Sequence, residues 1–184
     1  MIAALASHGD VLIKNCIPKH VDSLTAKLVE MGGTVEDLGD AIRVSCPKEY
    51  VSVNIKTLPH PGFPTDLQPQ IGVALSVAKG IGIINESIWE SRFVYTDELN
   101  KMGAKITPQG RTAVFEGVKK LTGAPIYASD LRAGAALLIA GIIADGTTEL
   151  HNVHYIDRGY EQIEDKFRAL GAKITRVKVE ENDV

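Results

Sequence analysis

The sequence has few cysteines, no large excess of charge of one sign and no long hydrophobic run. Cys16 and Cys46 are the only cysteines and are too far apart to suggest a metal cluster, so a reducing cytoplasm is the expected compartment. A formal net charge of −3 gives no sign of a nucleic-acid partner. The longest apolar run, 133–144, is shorter than the roughly 18 residues that span a membrane. Because a glycine-rich phosphate loop is also missing, any anion site must be formed by arginines and backbone amides.

Two tetrapeptides, TDLQ at 65–68 and SDLR at 129–132, share the order Thr or Ser, Asp, Leu, Gln or Arg. Each precedes a mostly apolar segment, expected to be a buried helix that ends near residue 79 or 144. Thr65 or Asp66 is predicted to cap the first helix, because Ser, Thr and Asp are favoured N-cap residues. We therefore expect an acidic residue at the N-terminus of each buried helix.

A longer period organises the whole chain. The closing signatures MGG (31–33), MGA (102–104) and LGA (170–172) contain glycines whose sequence numbers differ by 71 and 68 (103−32 and 171−103). This period predicts one α/β domain over 1–184, made of three βαβαββ repeats at about 1–50, 51–122 and 123–178, with a solvated tail at 179–184. Strands are expected at 10–15, 34–36, 41–45, 81–85, 105–107, 147–152 and 173–177, and further helices at 1–7, 18–31, 95–102 and 160–170.

The first repeat is predicted to be truncated. In the other two repeats Asp66 precedes Gly80 and Asp130 precedes Gly146, by 14 and 16 in sequence number (80−66 and 146−130). In the first repeat, the acidic residue that corresponds to Asp66 and Asp130 would have to lie at a similar distance before Gly9, which is before Met1. The expectation is a chain that begins inside a helix of a larger protein. The alternative is a domain that starts at an atypical terminal repeat.

Three arginines are candidates for anion binding. Arg92 and Arg158 follow the glycines of their repeats by the same difference in sequence number, 12 (92−80 and 158−146). Arg132 lies in the first turn of a buried helix, where the helix dipole disfavours a cation unless an anion binds there. Guanidinium groups and helix N-termini favour phosphate and carboxylate groups. The alternative is structural: these arginines would pair with Glu90, Asp130 or Asp157.

Asp66 and Asp130 are the candidate acids. A stiff approach with three prolines and a glycine, 59–64, precedes Asp66, and a rigidly held carboxylate there could accept a proton from a sugar hydroxyl. The alternative is that both acids only cap their helices.

Four segments resemble bacterial UDP-N-acetylglucosamine 1-carboxyvinyltransferase: 57–68, 90–93, 130–136 and 157–161. The likeness covers about 1–178 and corresponds to roughly the C-terminal half of that enzyme. It implies an inside-out α/β barrel domain and transfer of an enolpyruvyl group from phosphoenolpyruvate to the sugar 3-hydroxyl, with release of phosphate, as the first committed step of peptidoglycan synthesis. No cofactor or metal is implied.

The resemblance also implies roles for individual residues. Asp66 would bind the sugar and take the hydroxyl proton, and Ile88 would contact the sugar nucleotide, largely through its backbone. Arg132 and Arg158 would hold the carboxylate and phosphate derived from phosphoenolpyruvate. Asp130 would support the addition and elimination steps, and Arg92 would bind an anion or order the site.

The family's cysteine loop and Lys-Asn pair have no match in this sequence. The chain is thus expected to be one wall of an active site and a poor catalyst alone, completed by a missing N-terminal-half domain in cis or in trans, or self-associated through the exposed cleft face. Other interpretations are the shikimate-pathway enolpyruvyl transferase, whose Arg-x-Lys-Glu stretch is missing at 86–93, and a non-catalytic module that binds a sugar nucleotide. RNA terminal-phosphate cyclases share the architecture, but their histidine motif is absent.

Overall fold

The computed structural model describes residues 1–46 and 48–178, so the predicted tail at 179–184 lies outside the described residues. The helices in these residues are α1 (Ile2–Ala6), α2 (Asp22–Glu30), α3 (Gln68–Val77), α4 (Tyr95–Lys101), α5 (Leu131–Ile143), α6 (His154–Asp157) and α7 (Ile163–Ala169). The strands are β1 (Asp10–Lys14), β2 (Thr34–Asp37), β3 (Ala41–Ser45), β4 (Ile55–Lys56), β5 (Ile81–Asn85), β6 (Lys105–Gln109), β7 (Thr112–Glu116), β8 (Pro125–Tyr127) and β9 (Glu149–His151).

Helices α1, α3 and α5 form the centre of the molecule. All residues of α3 except Val77 are buried, and α1 and α5 pack against it. A helix that is apolar on every side has no face to expose to water, so its sequence requires burial on all sides. In the described part of the chain no helix is long and apolar enough to cross a membrane.

Three sheets pack outside these helices. Their strand orders are β1-β3-β2, β4-β5-β7-β6 and β8-β9, with β4 parallel to β5, β8 parallel to β9 and the other pairs antiparallel. Along β5, Gly82 and Ile84 are buried while Ile81 and Ile83 are exposed, so one face of this sheet covers the core and the other faces water. Helices inside and sheets outside are the arrangement that the resemblance implied.

The backbone hydrogen bonds that close the units recur with the predicted period. The amide of Cys46 donates to the carbonyl of Gly9 at 3.1 Å, and the amide of Gly117 donates to the carbonyl of Gly80 at 2.9 Å. The sequence numbers of both partners in the second bond exceed those in the first by 71 (117−46 and 80−9). From β4 to β7 the chain follows the order strand, helix, strand, helix, strand, strand.

One prediction for the last segment is wrong, because residues 173–177 form no strand. The helix predicted at 160–170 is confirmed as the shorter α7, with α6 before it. A strand needs a neighbour for its backbone groups, whereas here the guanidinium of Arg168 donates to the carbonyl of Ile174. The guanidinium of Arg176 bonds the carboxylates of Asp157 and Glu164, which holds this segment against α6 and α7.

Candidate substrate-binding site

Asp66 lies in a 3₁₀ turn, Thr65–Leu67, that leads into α3. The N-cap position of α3 is Leu67, and no side chain caps this helix, so the prediction that Thr65 or Asp66 is the cap is wrong. Both side chains bond elsewhere: the carboxylate of Asp66 accepts from Arg132 of another helix, and the hydroxyl of Thr65 donates to Glu86. Pro69 removes one of the two amides that a cap at Asp66 could engage, because a proline has no N–H.

Asp130, by contrast, is the N-cap of α5. Its Oδ1 accepts hydrogen bonds from the amides of Arg132 at 2.7 Å and Ala133 at 3.1 Å. The cap predicted for this acid is confirmed. Because the cap engages two of the first free amides of α5, an anion at this end must be bound mainly by side chains.

Arg132 and Asp66 form an ion pair between the first turn of α5 and the turn before α3. Nε of Arg132 donates to Oδ1 of Asp66, and the two side chains are 37% and 57% exposed. The hydrogen bond from Arg132 lowers the pKa of the Asp66 carboxyl below its ordinary value, and the charges of Arg132 and Arg92 lower it further. The alternative that Arg132 pairs with the Asp130 carboxylate is wrong, because the partner is Asp66.

Because of this ion pair, we expect the pKa of Asp66 to change when Arg132 is replaced. In the wild-type chain Asp66 should titrate below pH 3.8, and Arg132→Met should raise that pKa. Since the folded-state pKa is depressed, the pair stabilises the fold above the unfolded pKa and loses this effect as pH falls through the folded pKa. Both side chains are more than a third exposed, so the stabilisation is expected to be below about 1 kcal/mol.

The measurement is a carboxyl-carbon NMR titration of both chains. Asp10 is the internal control, because Arg43 lowers its pKa in the same way at a distant position. Arg132→Met should leave the Asp10 titration unchanged. An Asp66 pKa that is equal in the two chains would contradict the ion pair.

Arg92 does not pair with Glu90. The Glu90 carboxylate accepts from Arg111 at 2.9 Å, and the Arg92 guanidinium lies over the ring of Trp89, 5.6 Å from its centroid. Nε of Arg92 is buried without a hydrogen-bond partner among residues 1–46 and 48–178. Its charge reaches Asp66, whose pKa it lowers.

Arg158 follows α6 and is exposed. The alternative that Arg158 pairs with Asp157 is wrong, since both carboxylate oxygens of Asp157 accept from Arg176, at 2.8 and 2.7 Å. A Cβ added to Gly159 would lie 2.9 Å from the side chain of Leu131, the first residue of α5. This close approach places Arg158 at the same end of α5 as Arg132.

Ile88 lies in the loop 87–90 after β5 and is 38% exposed. Its amide donates to Oε1 of Glu86 at 2.8 Å. A ligand contact through the Ile88 backbone would therefore use the carbonyl, not the amide. The structure thus brings Asp66, Arg132 and Asp130 into direct contact or adjacency, with Arg92 within electrostatic reach of Asp66.

Glu86 is a structural residue of the site that the sequence reasoning did not single out. It is fully buried. Its carboxylate accepts hydrogen bonds from the hydroxyls of Thr57 and Thr65 and from the amides of Ile88 and Trp89. Burial first, and then the charge of Glu86, raise the pKa of Tyr95, whereas Arg92 lowers it. The sequence did contain a signal for this burial. Every second residue of β5 is buried, and Glu86 continues the series after Gly82 and Ile84.

Comparison with known proteins gives one family and a set of close relatives. The model of the EPSP synthase (3-phosphoshikimate 1-carboxyvinyltransferase) family matches residues 1–167. A UDP-N-acetylglucosamine 1-carboxyvinyltransferase of Clostridium botulinum is 56% identical over 177 residues, which are 96% of this chain and 42% of the relative. UDP-N-acetylglucosamine 1-carboxyvinyltransferase 3 of Caldanaerobacter subterraneus is 54% identical over 178 residues, 97% of this chain and 43% of the relative. The chain therefore spans less than half the length of these relatives.

Solved structures show the same fold. The enolpyruvyl transferase NikO from Streptomyces tendae superposes with a TM-score of 0.84 at 26% identity, covering 94% of this chain and 41% of that protein. EPSP synthase from Acinetobacter baumannii superposes with a TM-score of 0.67 at 19% identity, covering 98% of this chain and 42% of that protein. The α/β fold that the sequence predicted is confirmed, as is its resemblance to UDP-N-acetylglucosamine 1-carboxyvinyltransferases.

Proposed function

The chain belongs to the EPSP synthase family of carboxyvinyltransferases, and from this premise we propose that it forms one part of an enzyme that transfers the enolpyruvyl group of phosphoenolpyruvate to the 3-hydroxyl of UDP-N-acetylglucosamine and releases phosphate. Relatives that carry the name of this activity, in Clostridium botulinum and Myxococcus xanthus, are 56% and 49% identical to the chain. This likeness favours the sugar nucleotide as the acceptor substrate.

The observation that carries this proposal is the exposed Asp66 carboxylate beside Arg132. A carboxylate can take the proton of the sugar hydroxyl as the oxygen attacks C2 of phosphoenolpyruvate, whose methylene carbon gains a proton, so that a tetrahedral ketal forms. Cleavage of the bond between C2 and the phosphate oxygen then releases phosphate, and loss of a methyl proton restores the double bond. Guanidinium groups at Arg132 and Arg158 suit the carboxylate and phosphate of the other substrate. Arg92, near Asp66, adds positive charge to the same region, and the Asp130 cap fixes the first turn of α5, from which Arg132 projects.

The ion pair also implies an order of events. While Arg132 bonds Asp66, the lowered pKa makes this carboxylate a weak base. An anionic substrate group that binds Arg132 would compete with Asp66 for the guanidinium, so the pKa of Asp66 would rise toward its ordinary value. Binding of phosphoenolpyruvate to Arg132 would thus make Asp66 a stronger base for the hydroxyl of the sugar nucleotide.

The remaining half of the site is proposed to come from a second domain, in cis or in trans, with the assembly in the cytoplasm. The test is phosphate release from phosphoenolpyruvate and UDP-N-acetylglucosamine. We expect none from the chain alone and measurable release when it is refolded with the segment of the Clostridium botulinum relative that the chain does not cover. Replacing the sugar nucleotide by 3-phosphoshikimate should abolish release. Release with 3-phosphoshikimate, or none in any combination, would contradict the proposal.

A further inference from the structure

Glu86 connects two elements that the proposed function uses. Its Oε2 accepts from the hydroxyl of Thr65 at 3.0 Å, and Thr65 directly precedes Asp66 in the 3₁₀ turn. Its Oε1 accepts from the amides of Ile88 at 2.8 Å and Trp89 at 3.1 Å. One carboxylate therefore ties the turn that carries the candidate base to the loop that carries the candidate sugar-nucleotide contact.

The end of β4 is tied to the same group. Oε1 of Glu86 also accepts from the hydroxyl of Thr57 at 2.8 Å, and that hydroxyl accepts from the amide of Ser87 at 2.8 Å. The hydroxyl of Ser87 donates to the carbonyl of Thr57. Glu86 and Thr57 are both fully buried. A buried carboxylate is stable only when donors satisfy it, so the side chain is held in one position by these bonds.

We propose that Glu86 is a positioning residue, which fixes the Asp66 turn and the loop 87–90 relative to one another and so preorganises the site for the sugar nucleotide. This inference rests on the proposed function. Substrate contact is assigned to Asp66 and Ile88 and not to Glu86, because Glu86 is fully buried beneath them. Geometry that is set before the ligand arrives avoids the cost of ordering these segments on binding.

The chain offers two informative substitutions at this position. Glu86→Ala removes every acceptor and leaves the amides of Ile88 and Trp89 without their partner. Glu86→Gln keeps an oxygen for the three donors at Oε1, and its amide N–H₂ can donate to the hydroxyl of Thr65, which is also an acceptor. A role in positioning predicts a large effect of Ala and rescue by Gln.

Trp89 provides a readout that needs no ligand. It is the only tryptophan of the chain, its amide bonds Glu86, and its side chain is 58% exposed. In the ligand-free chain, Glu86→Ala should lower the fluorescence anisotropy of Trp89 and raise its acrylamide quenching constant by about twofold, since a released loop moves faster. Glu86→Gln should leave both within error, as should Glu90→Gln, a matched loss of charge at an exposed side chain of the same loop.

The second readout is kinetic and uses the complemented enzyme. Glu86→Ala should raise KM for UDP-N-acetylglucosamine by about tenfold or more and leave KM for phosphoenolpyruvate within about threefold. The reason is that, in the described part of the chain, the Glu86 carboxylate accepts hydrogen bonds from the Asp66 turn, the end of β4 and the loop, and from no residue of α5. If Glu86→Ala fails to fold, Thr65→Val, which cuts only the bond to the Asp66 turn, should lower kcat by about tenfold.

The outcomes separate this inference from the proposed function. A folded Glu86→Ala chain with unchanged Trp89 anisotropy and quenching would overturn the positioning role, whether or not the enzyme is active. A Gln variant as impaired as the Ala variant would overturn it as well. Absence of phosphate release by the wild-type complemented enzyme would contradict the proposed function, and the Trp89 comparison would still decide the role of Glu86.

Discussion

Asp66→Asn should lower phosphate release by the complemented enzyme by about 10²–10⁴-fold, the usual contribution of a general base. The amide of Asn has nearly the volume of the carboxylate but does not accept the hydroxyl proton at neutral pH. The fold should survive, because the Asp66 side chain is 57% exposed and its ion pair with Arg132 is a surface pair. We expect the free energy of unfolding to change by less than about 1 kcal/mol.

Asp10→Asn is the matched control for this experiment. Asp10 also pairs with an arginine, Arg43, at 2.6 Å with both side chains about half exposed, but it lies on β1, away from the candidate site. The control should keep wild-type activity. The measurement is kcat for phosphate release, with circular dichroism to verify the fold. Asp66→Asn activity within about threefold of wild type would exclude Asp66 as the base and leave it only the structural pairing with Arg132.

Gly117→Ala, directly after β7, should be strongly destabilising. A Cβ at Gly117 would lie 1.6 Å from the carbonyl oxygen of Ala78 and 3.3 Å from that of Gly80. Both neighbours are backbone atoms just after α3, so no side chain can rotate away and the sheet must move from the helix. We expect a loss of about 3 kcal/mol or more in the free energy of unfolding, at or above the usual range for overpacking.

Gly103→Ala separates steric overlap from backbone strain. Gly103 has φ +89°, and a Cβ there would meet no atom within 4 Å. Its replacement should therefore cost only about 1 kcal/mol, the penalty of a left-handed conformation. Urea denaturation of both variants, followed by circular dichroism, measures the difference. Equal losses in the two variants would show that the approach of Gly117 to Ala78 is not tight in solution.

The sequence predicted the central helices well because their signal is local. The segments that become α3 and α5 are mostly apolar and have no continuous polar face, so burial suits them. The glycines that end the amphipathic helices were also predicted from the sequence. Gly32, Gly103 and Gly171 all have positive φ, between 89° and 103°, as the end of a helix commonly requires.

Two similar tetrapeptides, 65–68 and 129–132, form different structures, although their likeness predicted two similar helix starts. Asp130 caps α5 with the amides two and three residues later, whereas the residue three after Asp66 is Pro69, which has no amide hydrogen. The proline was visible in the sequence. It removes only one of the two amides that a cap at Asp66 could engage, since Gln68 keeps its N–H. The ion pair of Asp66 with Arg132, which no local pattern shows, accounts for the rest of the difference.

Local patterns were enough to predict the α/β class, a period of about 70 residues and the candidate residues Asp66, Asp130, Ile88, Arg92, Arg132 and Arg158, because periodicity and turn residues act over a few positions. Which of these residues lie in contact depends on the folded chain. Arg132 pairs with Asp66, 66 positions away in the sequence. Arg111 and Arg176 bond the acids that the alternative interpretation paired with Arg92 and Arg158. Glu86 bonds residues that are 21 and 29 positions away. Such partners are chosen by the packing of α3, α5 and the second sheet, and polar side chains carry no sequence mark of the distant group that the fold places beside them.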